Sequence, residues 1–121
     1  MTTTKRTTNI TIPVDTQDYM MNILGSVYWT YPWWQKIEYV DGCDSLNLPP
    51  TDTEHYVCAT ILDPNDEEEV ATITKWLSVN DLVEAGNKAF TLCPWVRWDD
   101  MDATDGDIVM QVALLDAYVY G

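Results

Sequence analysis

The feature that most constrains this chain is a pair of apolar, β-branched runs, His55 to Leu62 and Val70 to Leu77, separated by Asp63-Pro64-Asn65-Asp66-Glu67-Glu68-Glu69. Two strand-length runs around a Pro/Asn/Asp turn segment predict an antiparallel hairpin with an acidic tip. Directly after it, Ser78-Val79-Asn80-Asp81 reads as a helix start, with Ser78 as N-cap, Asp81 three residues on, and Leu77 and Leu82 placed to staple the entry. Leu82, Ala85 and Ala89 then keep one narrow apolar face, which predicts a helix from 78 to about Phe90.

The flanking segments extend this pattern. Asn9-Ile10-Thr11-Ile12-Pro13-Val14 alternates apolar and polar residues and predicts a short strand that Pro13 confines to an edge. Asp15 and Asp18 repeat the helix-start spacing, Val14 and Tyr19 form the staple, and Met20, Ile23 and Leu24 continue at helical spacing until Gly25 ends the helix. The dense aromatic segment Tyr28 to Trp34 is broken by Pro32, and the strand-like run Gln35 to Val40 stops at the Asp41-Gly42 turn. Residues 43–54, with Pro49 and Pro50, read as a long loop. Near the C-terminus an Asp-rich stretch, Asp99 to Asp107, precedes Ile108, Val112, Leu115 and Val119, whose spacing predicts a core helix buried on more than one side. The expected fold is α+β: an antiparallel sheet of about four strands with about three helices on one face, in the order β-α-β-β-β-α-α. Residues 1–8, with five Thr and the pair Lys5 and Arg6, predict a disordered arm before a single domain over 9–121.

Charge bounds the partners. Twenty acidic residues against 6 basic ones give this 121-residue chain a net charge of -14, which argues against direct binding to nucleic acid or anionic membranes. A chain that is 46% apolar, with 6 Trp and 7 Tyr, is too hydrophobic to be a disordered acidic tail. It has no apolar run of about 18 residues, and Met1 to Arg6 lacks the apolar core of a signal peptide, so a cytoplasmic protein is expected. Cys43, Cys58 and Cys93 lack CxxC spacing, which predicts reduced thiols, with Cys58 a small core residue. His55, at a strand start, is expected to have a surface role. A calcium loop counted from Asp100 would need Gly and Glu at its sixth and twelfth positions, where Asp105 and Gln111 stand. With no zinc spacing, phosphate loop or nucleophile motif either, the expectation is a protein without cofactor or metal that is not an enzyme.

Some acidity has a local explanation. Asp15, Asp18, Asp81, Asp102, Asp105 and Asp107 fall near expected helix starts, where carboxylates cap free N–H groups. The excess lies in the second half: residues 61–121 hold 13 acids and 3 bases, residues 1–60 only 7 and 3. Asp63, Asp66, Glu67, Glu68 and Glu69 at the hairpin tip, and Asp99, Asp100 and Asp102 before the last helix, are therefore the candidate partner-binding acids, being loop residues not needed for packing. Of the aromatic residues, Trp34 and Trp76 are expected inside and Trp29 or Trp33 partly outside, the latter two as candidate contacts.

The ending Asp105 to Leu115, closing on Val119-Tyr120-Gly121, resembles the C-termini of small acidic bacteriophage proteins of unassigned function, with Asp116-Ala117-Tyr118 where a Gly-Glu pair is more usual. The resemblance covers roughly the last 20 residues and supplies no catalytic residues. It implies a phage or mobile-element accessory protein. Joined to the charge, it gives the expected function: a non-enzymatic inhibitor of a basic, nucleic-acid-binding host effector, of anti-CRISPR or anti-restriction type, acting in the host cytoplasm through an acidic surface that mimics nucleic acid, with homodimerisation left open. The alternatives are a metal-binding or enzymatic domain built on the Asp99–Asp107 loop and an acidic phage structural or assembly factor.

Overall fold

The computed structural model describes residues 7–10, 12–25, 30–68, 70–94 and 103–120. The chain forms strands β1 (Thr7–Ile10) and β2 (Ile12–Asp15), helix α1 (Thr16–Leu24), strands β3 (Trp34–Tyr39), β4 (His55–Leu62) and β5 (Thr72–Ser78), then helices α2 (Val79–Leu92) and α3 (Ala103–Leu115). This is an α+β fold, and the expected order is present with the first strand divided in two. Strands β1 and β2 pair antiparallel with each other, and β3, β4 and β5 form a separate antiparallel sheet in that order. Within the arm expected over 1–8, Thr7 and Thr8 pair with Asp15 and Val14. Residues 1–6 lie outside the described residues.

Local chemistry sets the helix starts. The Ser78 hydroxyl accepts the Asp81 N–H at 3.1 Å and the Asp81 carboxylate accepts the Ser78 N–H at 2.9 Å, a complete capping box at α2. Asp15 caps α1 by accepting the Asp18 N–H at 2.9 Å. The turn at Asp41-Gly42 closes with the Cys43 N–H on the Val40 carbonyl at 2.8 Å, and Gly42 takes a φ of 85° that a side chain would resist.

Pairing of β4 with β5 runs from Leu62 opposite Thr72 to Val57 opposite Leu77. This register turns Val57, Ala59, Ile61 and Leu77 toward the helices, where all four are buried, and Cys58, Thr60, Thr74 and Trp76 toward the other face. Two expectations are corrected by that register. Trp76, expected inside, is 51% exposed because its even-numbered position faces away from the helices, where its ring lies 5.5 Å from that of His55. Cys58, opposite Trp76, is half-buried on that outer face rather than in the core. Strand β5 also starts two residues later than the apolar run, since the Val70 and Ala71 N–H groups are held by Asp66.

Helix α3 is buried all round, with every residue from Asp105 to Val112 buried. It ends at Leu115, short of Val119, because Asp116 adopts a φ of 60° and turns the chain back along the helix; Val119 is 50% exposed. Trp34 is buried as expected, and Tyr19 joins α1 to α2 through its hydroxyl on the Leu82 carbonyl at 2.8 Å. Replacing Ser78 by Ala should remove one bond of the capping box and cost about 1 kcal/mol, measured by urea denaturation against the wild type.

Candidate functional site

The hairpin tip is built by two of its own acids. Asp63 accepts the Asn65 N–H at 2.9 Å, and its backbone N–H reaches back across the hairpin to the Ala71 carbonyl at 2.9 Å. Asp66 accepts three backbone N–H groups, from Glu68 at 3.2 Å, Val70 at 3.0 Å and Ala71 at 2.7 Å. These bonds hold the Asp66 carboxyl below its usual pKa, so its charge persists into mild acid. Asp63 and Asp66 thus shape the tip through bonds to its own backbone. Glu67 and Glu68 are exposed and have no side-chain partner among the described residues.

The start of α3 lies at the same end of the sheet. Tyr31 and Thr104 join hydroxyls at 2.9 Å, the Trp33 carbonyl accepts the Leu62 N–H at 2.9 Å, and Tyr120 donates its hydroxyl to the Leu62 carbonyl at 3.0 Å. Leu62 leads into Asp63 and the tip, and Ala103 directly follows Asp102 in the chain. The topology thus brings the first residues of α3 to the end that carries the hairpin tip. Glu69, Asp99, Asp100, Asp102 and Trp29 lie outside the described residues. Trp33, the other expected aromatic contact, is half-buried and stacked between Tyr31, with centroids 4.9 Å apart, and Tyr120, at 5.3 Å.

Beneath this end sits a buried carboxylate that the sequence reading misplaced. Asp107, read as a helix cap, is a core acceptor inside α3: its Oδ1 takes the indole N–H of Trp33 at 2.8 Å and of Trp34 at 2.7 Å, and its Oδ2 takes the Gln111 amide at 2.8 Å. Gln111 then clamps the C-terminal segment, accepting the Val119 and Tyr120 N–H groups at 3.0 and 2.7 Å and donating to the Tyr120 carbonyl at 2.8 Å. Asp105 is buried as well, so neither is an open loop ligand for a metal. The signal in the sequence was an Asp and a Gln four residues apart around the apolar run Ile108-Val109-Met110, a pattern that demands buried partners.

Other acids are also engaged. Asp44 accepts the Leu46 and Asn47 N–H groups at 2.7 and 2.8 Å, bonds that lower its pKa, and the ion pairs among the described residues are Lys36 with Glu38, at 3.0 Å, and Lys88 with Asp116. Among the described residues no three His, Cys, Asp or Glu side chains are grouped to hold a metal, and no helix is long and apolar enough to cross a membrane. Comparison with protein-family models, with curated proteins and with solved structures finds no match.

Asp107 sets a test of the site's framework. Asp107→Ala leaves two indole N–H groups and the Gln111 amide without their acceptor and should cost roughly 2–4 kcal/mol in urea denaturation, with altered Trp fluorescence. Burial raises the Asp107 pKa, partly offset by the hydrogen bonds of Trp33, Trp34 and Gln111. Folding therefore favours its protonated form, and this contribution is full below the unfolded value of about 3.9 and lost as pH rises through the folded pKa. The stability margin of the wild type over Asp107→Asn should narrow as pH is raised from about 4; a margin that widens would contradict the assignment.

Proposed function

We propose that this protein is a non-enzymatic accessory protein of phage or mobile-element origin that inhibits a basic, nucleic-acid-binding host effector in the host cytoplasm. The observation that supports it best is the acidic end: Glu67 and Glu68 stand exposed on a tip whose shape is fixed by Asp63 and Asp66, in a chain of net charge -14. Duplex DNA carries one charge per ~1.7 Å of axis, so this net charge equals that of roughly 24 Å of duplex. A globule of this length has a radius of gyration of about 14 Å, so its span is comparable. The partner surface on this reading is made of Asp63, Asp66, Glu67, Glu68 and Glu69, joined by Asp99, Asp100 and Asp102 from the segment leading into α3. Hydrogen bonding does not subtract Asp66 from this field, because accepting three backbone N–H groups favours its ionised form.

Electrostatic capture has a salt signature that a merely solubilising surface lacks. Partner capture from host lysate should weaken steeply between about 50 and 500 mM salt and be competed by the partner's own DNA or RNA. Charge reversal of Glu67, Glu68 and Glu69 to Lys, and separately of Asp99, Asp100 and Asp102 to Lys, should each weaken capture by tenfold or more, on the order of 1.4 kcal/mol. Capture that survives both reversals and high salt would overturn the reading.

A further inference from the structure

We propose that the free edge of β5, with the groove it forms against α2 and α3, takes an extended basic segment of a partner protein as an added strand. The proposal rests on the reading of a basic partner and assigns that partner a second, directional contact. A groove of about 320 Å³ touches Lys75, Trp76 and Leu77 in succession. Consecutive strand residues point to opposite faces, so a groove that meets three in a row runs along the strand's edge rather than over a face. Strand β4 occupies one edge of β5, and no described strand occupies the other. The opposite wall is largely helical, with Asp81 and Glu84 from α2 and Val112 and Ala113 from α3, and Asp116 just past the end of α3 completes it. An edge strand facing a helix across a groove is a geometry in which a peptide adds main-chain hydrogen bonds and seats alternate side chains.

The two edges of this sheet are not equivalent. At β3 the register slips between Trp34 and Lys36, an irregularity that discourages pairing. Strand β5 runs in unbroken register from Thr72 to Leu77, contains no Pro, and exposes half of Trp76 beside the groove. Charge then selects the occupant. The groove's acids outnumber its lysines, Lys88 is bonded to Asp116, and Lys75 acts on the same carboxylate. The acidic tip leads directly into Thr72. A second copy of the chain would bring another net charge of -14 against this edge, whereas a segment bearing Lys or Arg relieves the repulsion.

The probe is a capped seven-residue peptide of alternating lysine and valine, compared with a peptide of equal charge N-methylated at alternate residues, both titrated into the full chain and followed by amide NMR and hydrogen exchange. The expected result is that amides of 72–78 shift and that their outward N–H groups exchange about tenfold more slowly with the first peptide; N-methylation and, separately, Trp76→Ala should each weaken binding about tenfold. Equal binding of both peptides with shifts confined to 63–68 overturns edge docking and leaves the acidic-tip reading standing. Absence of binding by either peptide overturns edge docking, while the charge-reversal captures judge the tip independently. Slow exchange over 72–78 without peptide, accompanied by a concentration-dependent dimer in sedimentation, overturns it in favour of a second copy.

Discussion

Removing an aspartate from water costs several kcal/mol unless its oxygens are used, and at Asp107 three donors use them, two indoles more than 70 residues away and an amide from the same helix. Trp33 and Trp34 fix where the aromatic segment meets α3, and Trp34 opens β3. Gln111, one helical turn further on, carries the constraint to the C-terminal segment through three bonds with Val119 and Tyr120. Tyr120 closes the circuit by stacking on Trp33 and bonding the last residue of β4. One carboxylate thereby ties a strand start, a helix and the returning chain at the end of the sheet from which the acidic tip projects. It also explains how a helix buried all round holds its two most deeply buried polar residues: Asp107 and Gln111 satisfy each other and the groups packed against them.

The acids of this chain divide their work. Asp15 and Asp81 cap helices, Asp44 and Asp66 organise loops through backbone N–H groups, Asp107 is a core acceptor, and Glu67 and Glu68 face solvent. The sequence treats capping acids as already explained and sets them apart from the charge available to a partner. Physically a structural role and an available charge are compatible, as two loop acids show. Asp44 and Asp66 have lowered pKa values because they accept hydrogen bonds, so the interactions that spend them structurally also keep them negative. A turn stapled by carboxylates is at once a fold device and a source of field.

What was legible in the sequence is what acts over a few residues. The Ser78–Asp81 box, the Asp15 cap, the Asp41-Gly42 turn and the β4–β5 hairpin each depend on chemistry within a short window, and each stands where it was read, except that β5 starts two residues later. The Asp107 site depends on tryptophans more than 70 residues away, a separation over which one sequence carries no pairing signal. Trp76 was misplaced for another reason: a large aromatic ring in a strand suggests burial, but its side of the sheet is set by register, and Leu77 holds the inward position. Asp66 was legible in principle, since Asp in a Pro/Asn turn segment commonly bonds nearby backbone N–H groups. The run of acids around it reads instead as charge available to a partner.

A charged tip alone makes a fast but poorly discriminating binder. At physiological salt its field decays over about 8 Å, and it attracts any basic surface of suitable curvature. Discrimination requires contacts whose geometry can be wrong, such as main-chain hydrogen bonds, which demand an extended partner in register. In this fold the two lie on one hairpin, because the residues that carry Glu67 and Glu68 lead directly into β5. Asp66, by holding the Val70 and Ala71 N–H groups, sets the angle at which the tip enters the strand. On the proposed reading, a partner drawn to the tip would meet the start of the β5 edge, and the tip, already fixed by its own acids, would lose little conformational entropy in the encounter.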